Sequence, residues 1–326
     1  MSSPVRGCPT STSTIRCCTV PSKKFKQNFK ATLLSQTSPP KLKALLEATI
    51  AACSLDDRRD QDPVGIVHEY KTSADREIAA LFASSLAYGR VDLLRPAIRQ
   101  ALAPLGPHPA TYLRETKPQA LLKLWPDFVY RMTRGEDLVD LATAIAETLR
   151  RERSLEALYL PESSENLPIR DRESHLRQAS SFVTKLRLRR HRPDLHRGFR
   201  YLLPDPADGS ACKRLHLFFR WMSRGPDQID LGLWDGLAPS ALIMPLDTHT
   251  SRLCRYLGLL ERKSVDQKAA VQVAERLAIL DASDPLRYDF ALCHLGISRR
   301  CIHRWCPQRC PECPIEAGCV IADRSA

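Results

Sequence analysis

The sequence predicts an all-α protein, and three observations support this class. Strand-like alternation of apolar and polar residues is scarce, whereas apolar residues recur at helical spacing along the chain. Several of these periodic segments start with residues that cap helices. Prolines at 104, 107, 109, 118 and 126 mark short connections. We expect about eleven helices.

The N-terminal half contains two clear helices. The first is predicted to begin at Thr72 or Ser73 and to stop at Gly89, with one face formed by Ile78, Leu81, Phe82, Ser85 and Leu86. The second is marked by apolar residues at helical spacing, namely Leu138, Leu141, Ile145 and Leu149.

Three further helices are predicted in the C-terminal half. One begins near Lys213 and carries an apolar face of Leu215, Phe218, Phe219 and Met222. Ser264 and Gln267 form a capping box ahead of a face made by Val271, Ala274, Leu277 and Ala278. Asp284 and Pro285, an N-cap followed by proline at the first helical position, open a helix that runs through Phe290 and Leu295.

Composition divides the chain into three parts. Residues 1–40 are rich in Ser, Thr and Pro, contain no acidic residue, and are expected to form a disordered basic tail. Residues 41–297 are expected to form a helical body, and residues 298–326 a cysteine-rich loop. The formal charge is +12, but residues 1–46 hold eight Lys and Arg and no acid, so the remainder carries only +4. The net charge of the body is therefore a weak indication of a nucleic-acid partner.

The sequence argues against a membrane-spanning or secreted protein. No apolar run approaches the roughly 20 residues that span a bilayer, and no apolar core of a secretory signal is present. The composition of the tail resembles that of an organelle transit peptide, but a solvated basic tail or a misassigned start codon accounts for it equally well. We expect a cytoplasmic protein whose thiols stay reduced and free to bind metal.

Six of the twelve cysteines lie near the end of the chain, from residue 293 onward. Cys310, Cys313 and Cys319 follow a C-x2-C-x5-C pattern, with Cys301 and Cys306 upstream. Two thiolates separated by two residues can bind one metal from a single turn, and a third folds the chain back toward a tetrahedral set. The spacing predicts a metal site and leaves zinc and an iron–sulfur cluster both open.

Positive charge in the body is concentrated in two segments. Residues 185–200 hold seven Lys and Arg and a single acid, Asp194, while Arg299, Arg300 and Arg304 lie among the terminal cysteines. A segment of this kind either docks a phosphate backbone or forms a solvated, arginine-rich face, and the charges alone favour the solvated face.

A turn that follows the first basic segment leads into the helix at Lys213. It contains Gly209 and Ser210, and exposed backbone N–H groups at such a turn and helix start bind anions. A phosphate backbone docked there would also meet Arg197 and Arg200. The alternative is an ordinary loop.

Residues 246–249 read LDTH and begin another helix. Asp247 can be an N-cap, the commonest reason for an aspartate at a helix start, and His249 can be a partner of that cap. Spacing alone gives no reason to prefer catalysis.

The order of these features resembles the helix–hairpin–helix DNA glycosylase superfamily, the endonuclease III type in particular. Those proteins carry a turn ending in lysine, a VDTH segment whose aspartate is catalytic, and a terminal cysteine cluster. Here LDTH at 246–249 is followed by RLCRYLGL at 252–259, similar to the family's R-x-x-x-R-L-G-L. The resemblance covers about residues 200–320, with a hairpin region at 200–224 and an LDTH helix at 246–258.

The resemblance also implies a 4Fe–4S cluster, with zinc as the alternative metal. The family's ligands follow C-x6-C-x2-C-x5-C, and the last three correspond to Cys310, Cys313 and Cys319. Residues 295–301 have the length of the family's L-H-G-R-Y-T-C segment, which nominates Cys301 as the first ligand. His303 stands where the strict spacing expects cysteine, and Cys306 is a rival to Cys301.

The chain departs from the family at the hairpin. The family sequence LPGVG-x-K has two glycines, whereas residues 203–213 read LPDPADGSACK, which is longer and has one. The separation between Lys213 and Asp247 exceeds that in the endonuclease III type, although the archaeal 8-oxoguanine branch also has a long insertion. Residues 41–150 look more like an uncharacterised bacterial family that shares the GSACKR and LDTH motifs.

The resemblance implies a two-lobed helical protein that binds damaged duplex DNA as a monomer and flips a base into a pocket between helical domains. Lys213, with its charged form disfavoured at a helix N-terminus, would attack the sugar C1′ and form a Schiff base. Asp247 would accept the amine's proton and stabilise the oxocarbenium-like sugar. The DNA backbone would be contacted by Gly209, Ser210, Arg197, Arg200, Arg299, Arg300 and Arg304. The expected enzyme is a DNA N-glycosylase/AP lyase of base-excision repair.

Other interpretations stay open. Lys213 can serve only as a phosphate contact, in a non-catalytic nucleic-acid-binding protein on the same scaffold. The cluster can instead serve a redox or regulatory function. Several residues with reactive or aromatic side chains are expected to be core residues rather than site residues, namely Cys212, Cys254, Cys293, Trp221 and Trp234.

Overall fold

The computed structural model describes residues 37–160, 167–297 and 301–321. Within these ranges the chain forms fifteen α-helices and one short antiparallel hairpin, which confirms the all-α class. The first eight helices are α1 (Pro39–Ala51), α2 (Leu55–Gln61), α3 (Pro63–His68), α4 (Ser73–Ser85), α5 (Val91–Leu102), α6 (Pro109–Glu115), α7 (Pro118–Leu121) and α8 (Gly135–Arg151). The other seven are α9 (Leu155–Tyr159), α10 (Arg172–Leu188), α11 (Arg197–Leu202), α12 (Lys213–Ser223), α13 (Thr248–Tyr256), α14 (Gln267–Leu280) and α15 (Asp289–Ile297). The hairpin pairs β1 (Val129–Tyr130) with β2 (Thr133–Arg134).

The described residues contain more helices than the sequence pattern predicts. The additional ones are short, since α3, α7, α9 and α11 have only four to six residues each. A helix of fewer than two turns repeats no apolar position often enough to be recognised. None of the described helices has the length and apolar character needed to cross a bilayer.

Helix α1 begins at Pro39, so helical structure starts just inside the tail expected at residues 1–40. Residues 1–36, which make up most of that tail, lie outside the described residues.

Helix α4 runs through the centre of the fold and begins as predicted. The Thr72 hydroxyl accepts the backbone N–H of Asp75 at 3.1 Å, which is the expected N-cap. Residues 78–83 are almost completely buried. The three alanines in this stretch have small side chains, and α4 packs against both α3 and α12. Helix α4 thereby connects the N-terminal helices to the helix that carries Lys213.

The starts of α14 and α15 differ from the prediction. The N-cap of α14 is Asp266, whose Oδ1 accepts the N–H of Ala269 at 2.8 Å, and Ser264 only donates its hydroxyl to Asp266. Asp284 does not cap α15, because its carboxylate accepts two hydrogen bonds from Arg224 and a 3-10 turn over Pro285–Tyr288 intervenes. At α14 a neighbouring aspartate takes the capping position, whereas at α15 a longer-range ion pair occupies the predicted cap.

An aromatic cluster forms the core beneath α12. Its members are Tyr159, Phe182, Phe218, Phe219 and Trp234. Trp221 and Trp234 are 0% and 3% exposed, which confirms them as core residues. The buried carboxylate of Glu77 accepts the Trp234 indole N–H at 2.7 Å, and burial raises the pKa of Glu77 above its usual range.

Candidate active site

Lys213 and Asp247 meet in the structure, although 34 residues separate them in the chain. Lys213 is the first residue of α12 and Asp247 is the N-cap of α13. The lysine Nζ donates a hydrogen bond to Asp247 Oδ2 at 2.8 Å. The two side chains keep 30% and 21% of their surface exposed, so a solute can reach them. The expected proximity is therefore present, while the catalytic roles stay predictions.

Asp247 is an N-cap and an ion-pair partner at the same time. Its Oδ1 accepts the backbone N–H groups of His249 and Thr250 and the Thr250 hydroxyl, each at 2.9 Å. Burial opposes ionisation of this carboxyl. The positive charge of Lys213 and the hydrogen bonds from Lys213 and Thr250 outweigh it and lower the pKa of Asp247 to about 2. The carboxylate is thus ionised at neutral pH.

The charge state of Lys213 is opposite to the one predicted from the sequence. Burial disfavours its ammonium, but the negative charge of Asp247 and the hydrogen bond to Asp247 prevail and raise the pKa of Lys213 above its usual value. The expectation of a partly neutral amine is wrong for the free protein. The positive end of the α12 dipole disfavours the Lys213 ammonium less than the Asp247 carboxylate, 2.8 Å away, favours it.

A large cleft contains this ion pair. Its volume is about 1620 Å³, which exceeds that of an ordinary small-molecule pocket. One wall comes from the start of α3, the α4–α5 loop and α5, and the other from α12, the start of α13, α15 and residues 301–303. The lining combines basic, acidic and aromatic side chains from both halves of the chain. Arg90, Arg95, Asp289, Phe290 and His303 are among them.

A second cavity, of about 540 Å³, lies on the side of the turn at 209–212. It shares Lys213, Arg214, Asp247 and Thr248 with the large cleft, so the ion pair borders both spaces. Arg197 and Arg200 line this second cavity, as expected for residues near the turn. A chain-like ligand lying along both spaces would pass directly over the ion pair.

The turn before Lys213 requires the glycine at position 209, and some of its backbone N–H groups are already hydrogen-bonded within the turn. Gly209 has a φ of +77°, a left-handed conformation that glycine adopts readily, and a Cβ there would have no atom within 4 Å. However, Gly209 donates its N–H to the carbonyl of Pro206, and Cys212 donates its N–H to the Ser210 hydroxyl. The predicted phosphate site at Gly209 and Ser210 therefore has fewer available donors than the pattern indicates.

Most of the basic segment 185–200 holds the fold together, which neither interpretation of the segment predicted, whereas contact of Arg197 and Arg200 with a DNA backbone stays a prediction. Arg192 donates to Asp137 and Asp140 at 2.7 Å, and Arg189 pairs with Glu152. Their partners are carboxylates of α8 and its C-terminal end, far away in the chain. Further hydrogen bonds run to backbone carbonyls from Arg187 and Arg190. Within this segment Arg197 and Arg200 line the second cavity, and Arg200 also pairs with Asp208 at 3.0 Å.

The terminal cysteines lie near one another but do not form a closed metal site. Burial raises the pKa of the Cys313 thiol, and negative charge on Cys301, Cys319 and Cys310 raises it further. By contrast, the Cys306 thiol donates to Gln308 Oε1 at 3.3 Å. Among the described residues no three His, Cys, Asp or Glu side chains converge closely enough to hold a metal ion. The thiol donors suit zinc or an iron–sulfur cluster in type, and the metal stays a prediction.

The cysteine loop reaches the cleft. Cys301 and His303 line it, and the His303 ring lies 6.0 Å from the rings of His249 and Tyr256. Arg304 belongs to this loop and its contact with DNA stays a prediction, whereas Arg299 and Arg300 lie outside the described residues.

Three predictions concern cysteines near the ion pair. Cys212 and Cys254 are buried, with 3% and 0% exposure, which confirms them as core residues. Cys293 is only half-buried and lines the cleft close to Lys213, so the prediction that it lies in the core is wrong. Its position on α15 gives no hint of this, because the residues around it on that helix are nearly all apolar.

The sequence pattern missed two polar features of the cleft. Arg220, 3% exposed, pairs with Asp230 at 3.0 Å and with Asp289. Arg214 lies between the rings of Tyr88 and Tyr201, with its Cζ 4.9 and 4.3 Å from their centroids. The only sequence feature that indicates either contact is an arginine on the apolar face of a helix.

Comparison with known proteins identifies the chain at the level of the family. No curated protein and no solved structure is significantly similar to it. Residues 62–298, nearly three quarters of the chain, match the model of one family, whose description is "Protein of unknown function (DUF2400)". The chain therefore belongs to the DUF2400 family.

Proposed function

We propose that this protein is a helix–hairpin–helix glycosylase-like enzyme that cleaves the N-glycosidic bond of damaged nucleotides in DNA. One observation carries the proposal: an ionised carboxylate and a lysine amine lie 2.8 Å apart, partly exposed, on the border of two cavities. A nucleophilic amine beside a proton acceptor is the arrangement that Schiff-base chemistry requires.

In the proposed reaction the Lys213 ammonium first loses a proton to solvent, and the free amine then attacks C1′ of the damaged nucleotide. The C1′–N bond breaks, its electron pair goes to the base, and water protonates the leaving base. Asp247 accepts the proton that the attacking nitrogen loses, and passes it to O4′ when the sugar ring opens to the Schiff base. Water then removes a C2′ proton, and the electron pair of that C–H bond forms a C2′–C3′ double bond as the C3′–O bond breaks and the 3′ phosphate leaves by β-elimination. While the C1′–N bond breaks, the carboxylate stabilises the positive charge on the sugar.

The dimensions of the site support a nucleic acid rather than a small metabolite. The large cleft has room for a whole nucleotide, and the adjoining cavity with Arg197 and Arg200 is suited to the backbone that follows it. Contacts from these arginines to phosphates position the strand and carry no sequence information. Affinity should therefore fall steeply as the salt concentration rises.

We propose that Cys301, Cys310, Cys313 and Cys319 hold the metal, as a 4Fe–4S cluster or, alternatively, as zinc. The proximity of the Cys313 thiol to the other three supports this set, and the hydrogen bond from Cys306 to Gln308 argues against Cys306. The metal would fix the loop that carries Arg304 and His303 against the cleft. Its chemistry would be structural, because thiolate ligation from one short loop ties that loop together.

A second candidate function is supported by the charge state of Lys213. An ammonium held by an ionised carboxylate is a good phosphate contact and a poor nucleophile. A non-catalytic nucleic-acid-binding protein on the same scaffold would use the lysine in this way. The redox or regulatory alternative instead predicts behaviour that follows the oxidation state of the cluster, with little salt-sensitive DNA affinity.

Borohydride trapping on an oligonucleotide with an abasic site tests the proposal. We expect the full-length protein to form a covalent crosslink that Lys213→Ala and Lys213→Arg both abolish, because neither variant offers the amine. Lys213→Arg keeps the charge and should keep most of the binding, measured by fluorescence anisotropy. Lys268→Ala removes an exposed lysine on α14 and should crosslink like the wild type.

The other outcomes separate the candidates. Salt-sensitive binding without any crosslink would leave the non-catalytic function. Binding and crosslinking both absent would exclude nucleic acid and leave the redox alternative.

A further inference from the structure

Arg214 is a buried cation without a carboxylate partner. It follows Lys213 on α12 and is only 9% exposed. One terminal nitrogen of its guanidinium donates to the carbonyl of Ser85, and the other donates to the carbonyl of Tyr201. Within the part of the chain that the structure describes, no Asp or Glu carboxylate pairs with it or shifts its pKa. Burying a charge without an opposite charge is costly, so the position of Arg214 requires an explanation.

Two aromatic rings and two helix ends hold the guanidinium in place. Its Cζ lies 4.9 Å from the centroid of the Tyr88 ring and 4.3 Å from that of Tyr201, and aromatic faces attract cations. The two carbonyls belong to the last turns of α4 and α11, where helix dipoles place partial negative charge. These contacts fix the side chain and offset part of the cost of burial. None of them carries a full negative charge.

Other buried arginines of the same helix are neutralised within the protein. Arg220 pairs with Asp230 at 3.0 Å and with Asp289. Arg224, at the end of α12, pairs with Asp230 at 2.7 Å. Arginines that serve only to hold α12 in the fold therefore have carboxylate partners. Because Arg214 has none among the described residues, its opposite charge has to come from outside the chain.

The charge of Arg214 lies on the border between the two cavities. Four residues line both spaces, namely Lys213, Arg214, Asp247 and Thr248. The Lys213 ammonium and the Asp247 carboxylate, 2.8 Å apart, neutralise each other. The border therefore keeps the positive charge of Arg214, which favours an anion. Phosphate is an anion that the planar guanidinium group matches well, since parallel N–H groups can bond to two of its oxygens.

We propose that Arg214 binds a phosphate group of the nucleotide that lies against Lys213. This inference rests on the nucleic-acid ligand of the proposed function, but not on its chemistry. Only the sugar ring separates the phosphates of a nucleotide from its C1′. A nucleotide whose C1′ faces Lys213 therefore has a phosphate close to the next residue of α12. The contact would fix C1′ against the lysine nitrogen, which makes Arg214 a positioning residue for the proposed reaction.

The aromatic contacts prepare Arg214 for this function. Tyr88 lines the large cleft and Tyr201 lines the second cavity, so the guanidinium is held between a ring from each space. A free arginine side chain loses rotamer entropy when it binds a ligand. Here that entropy is lost on folding, so binding of the phosphate is favoured by preorganisation.

Uncharged phosphate analogues test the inference by fluorescence anisotropy. The probe is an oligonucleotide duplex with a tetrahydrofuran abasic analogue, in which a neutral methylphosphonate replaces one of the two phosphates that flank the analogue. We expect one of these replacements to weaken binding by the full-length wild type about tenfold, because a charge-assisted hydrogen bond is lost. In Arg214→Met the same replacement should change the affinity less than about twofold, because the phosphate no longer has this partner.

A structural arginine predicts a different pattern. Arg214→Met would then bind every probe more weakly and would keep the tenfold response to the methylphosphonate, which would overturn the inference. Arg214→Lys retains the positive charge and should restore part of the response. Arg177→Met removes an exposed arginine that pairs with Glu173 on α10, and as the matched control it should respond like the wild type.

A second pair of variants leaves the arginine in place and decides the question if Arg214→Met does not fold. Tyr201→Phe retains the ring beside the guanidinium and should retain the response to the methylphosphonate. Tyr201→Leu removes the ring and should reduce the response, because the guanidinium is no longer held on that side. An undiminished response in Tyr201→Leu would overturn the proposed mode of binding.

Failure of this inference and failure of the proposed function give different results. If the wild type forms the borohydride crosslink but neither methylphosphonate weakens its binding, Arg214 binds no phosphate and the proposed function stands. If the response depends on Arg214 but no crosslink forms, this inference stands and the non-catalytic function replaces the enzyme. If the wild type binds none of the probes, both fail.

Discussion

Lys213 and Asp247 are joined through only one of the two carboxylate oxygens. Oδ2 accepts the hydrogen bond from Nζ at 2.8 Å, while Oδ1 accepts three hydrogen bonds from the first turn of α13. The capping bonds fix the orientation of the carboxylate, so the second oxygen faces the border between the two cavities. The cap and the proposed catalytic role are therefore compatible rather than competing interpretations of Asp247.

Substitutions at Asp247 should separate these two roles. Asp247→Asn retains an oxygen that can cap α13 but loses the negative charge, so base release should fall about 100-fold or more. Asp247→Ala should lose activity to the same extent and about 1 kcal/mol more stability, because the cap is lost as well. Single-turnover base release and urea unfolding measure the two effects. Equal stability of the two variants would show that the cap contributes nothing.

The pH dependence of crosslinking should report the charge state of Lys213. Because its pKa lies above its usual value, the free amine is scarce at neutral pH and its population grows as pH rises. The rate of Schiff-base trapping should increase with pH throughout the range 6 to about 10 without a plateau. Asp247, with a pKa of about 2, stays ionised over this range and contributes no inflection. A plateau near pH 7 would mean that substrate binding lowers the lysine pKa by removing the ion pair.

The long helices were predictable from local signals, and one of them, α12, carries Lys213. Helices α4, α8 and α12 have long apolar faces, and the start of α12 near Lys213 follows from the turn before it. The pairing of Lys213 with Asp247 was not predictable from spacing, since 34 residues separate them. It followed only from the resemblance to proteins in which the same motifs converge.

The basic segment shows why charge patterns fail without tertiary contacts. Arg192 lies 52 and 55 residues from its carboxylate partners Asp140 and Asp137, and Asp140 is completely buried. A buried carboxylate requires a nearby cation, but the sequence does not indicate which arginine supplies it. The raised pKa of Lys213 is missed for the same reason, because it depends on a residue brought close only by the fold.

The two rival first ligands can be distinguished by metal content. Cys301→Ser should purify with much less metal than the wild type, because Cys301 belongs to the proposed ligand set around Cys313. Cys306→Ser is the matched control on the same loop and should keep its metal, since its thiol is occupied by Gln308. Metal analysis after anaerobic purification, together with visible absorption, also distinguishes a coloured iron–sulfur cluster from colourless zinc. Loss of metal in Cys306→Ser with retention in Cys301→Ser would reverse the ligand assignment.

Removal of Arg220 should destabilise the protein far more than removal of a surface arginine. Arg220 is 3% exposed and neutralises two nearly buried carboxylates, Asp230 and Asp289. Arg220→Met leaves Asp289 without its buried partner, and breaking a buried pair costs about 3–5 kcal/mol of unfolding free energy. Arg177→Met, which removes an exposed pair with Glu173, should cost less than about 1 kcal/mol. Urea unfolding measures both variants.

A double variant tests whether the cost comes from the uncompensated charge. Arg220→Met combined with Asp289→Asn removes the orphaned carboxylate and should recover part of the stability lost in Arg220→Met, giving a coupling free energy of about 1–3 kcal/mol. Additive losses in the double variant would show that packing, not charge, dominates at Arg220.

Because Asp289 also lines the cleft, the recovered variant would further show whether base release depends on this second carboxylate or only on Asp247. Activity that returns with stability would assign Asp289 to the scaffold of α12 and α15, whereas a stable but inactive double variant would place it among the residues that the reaction needs.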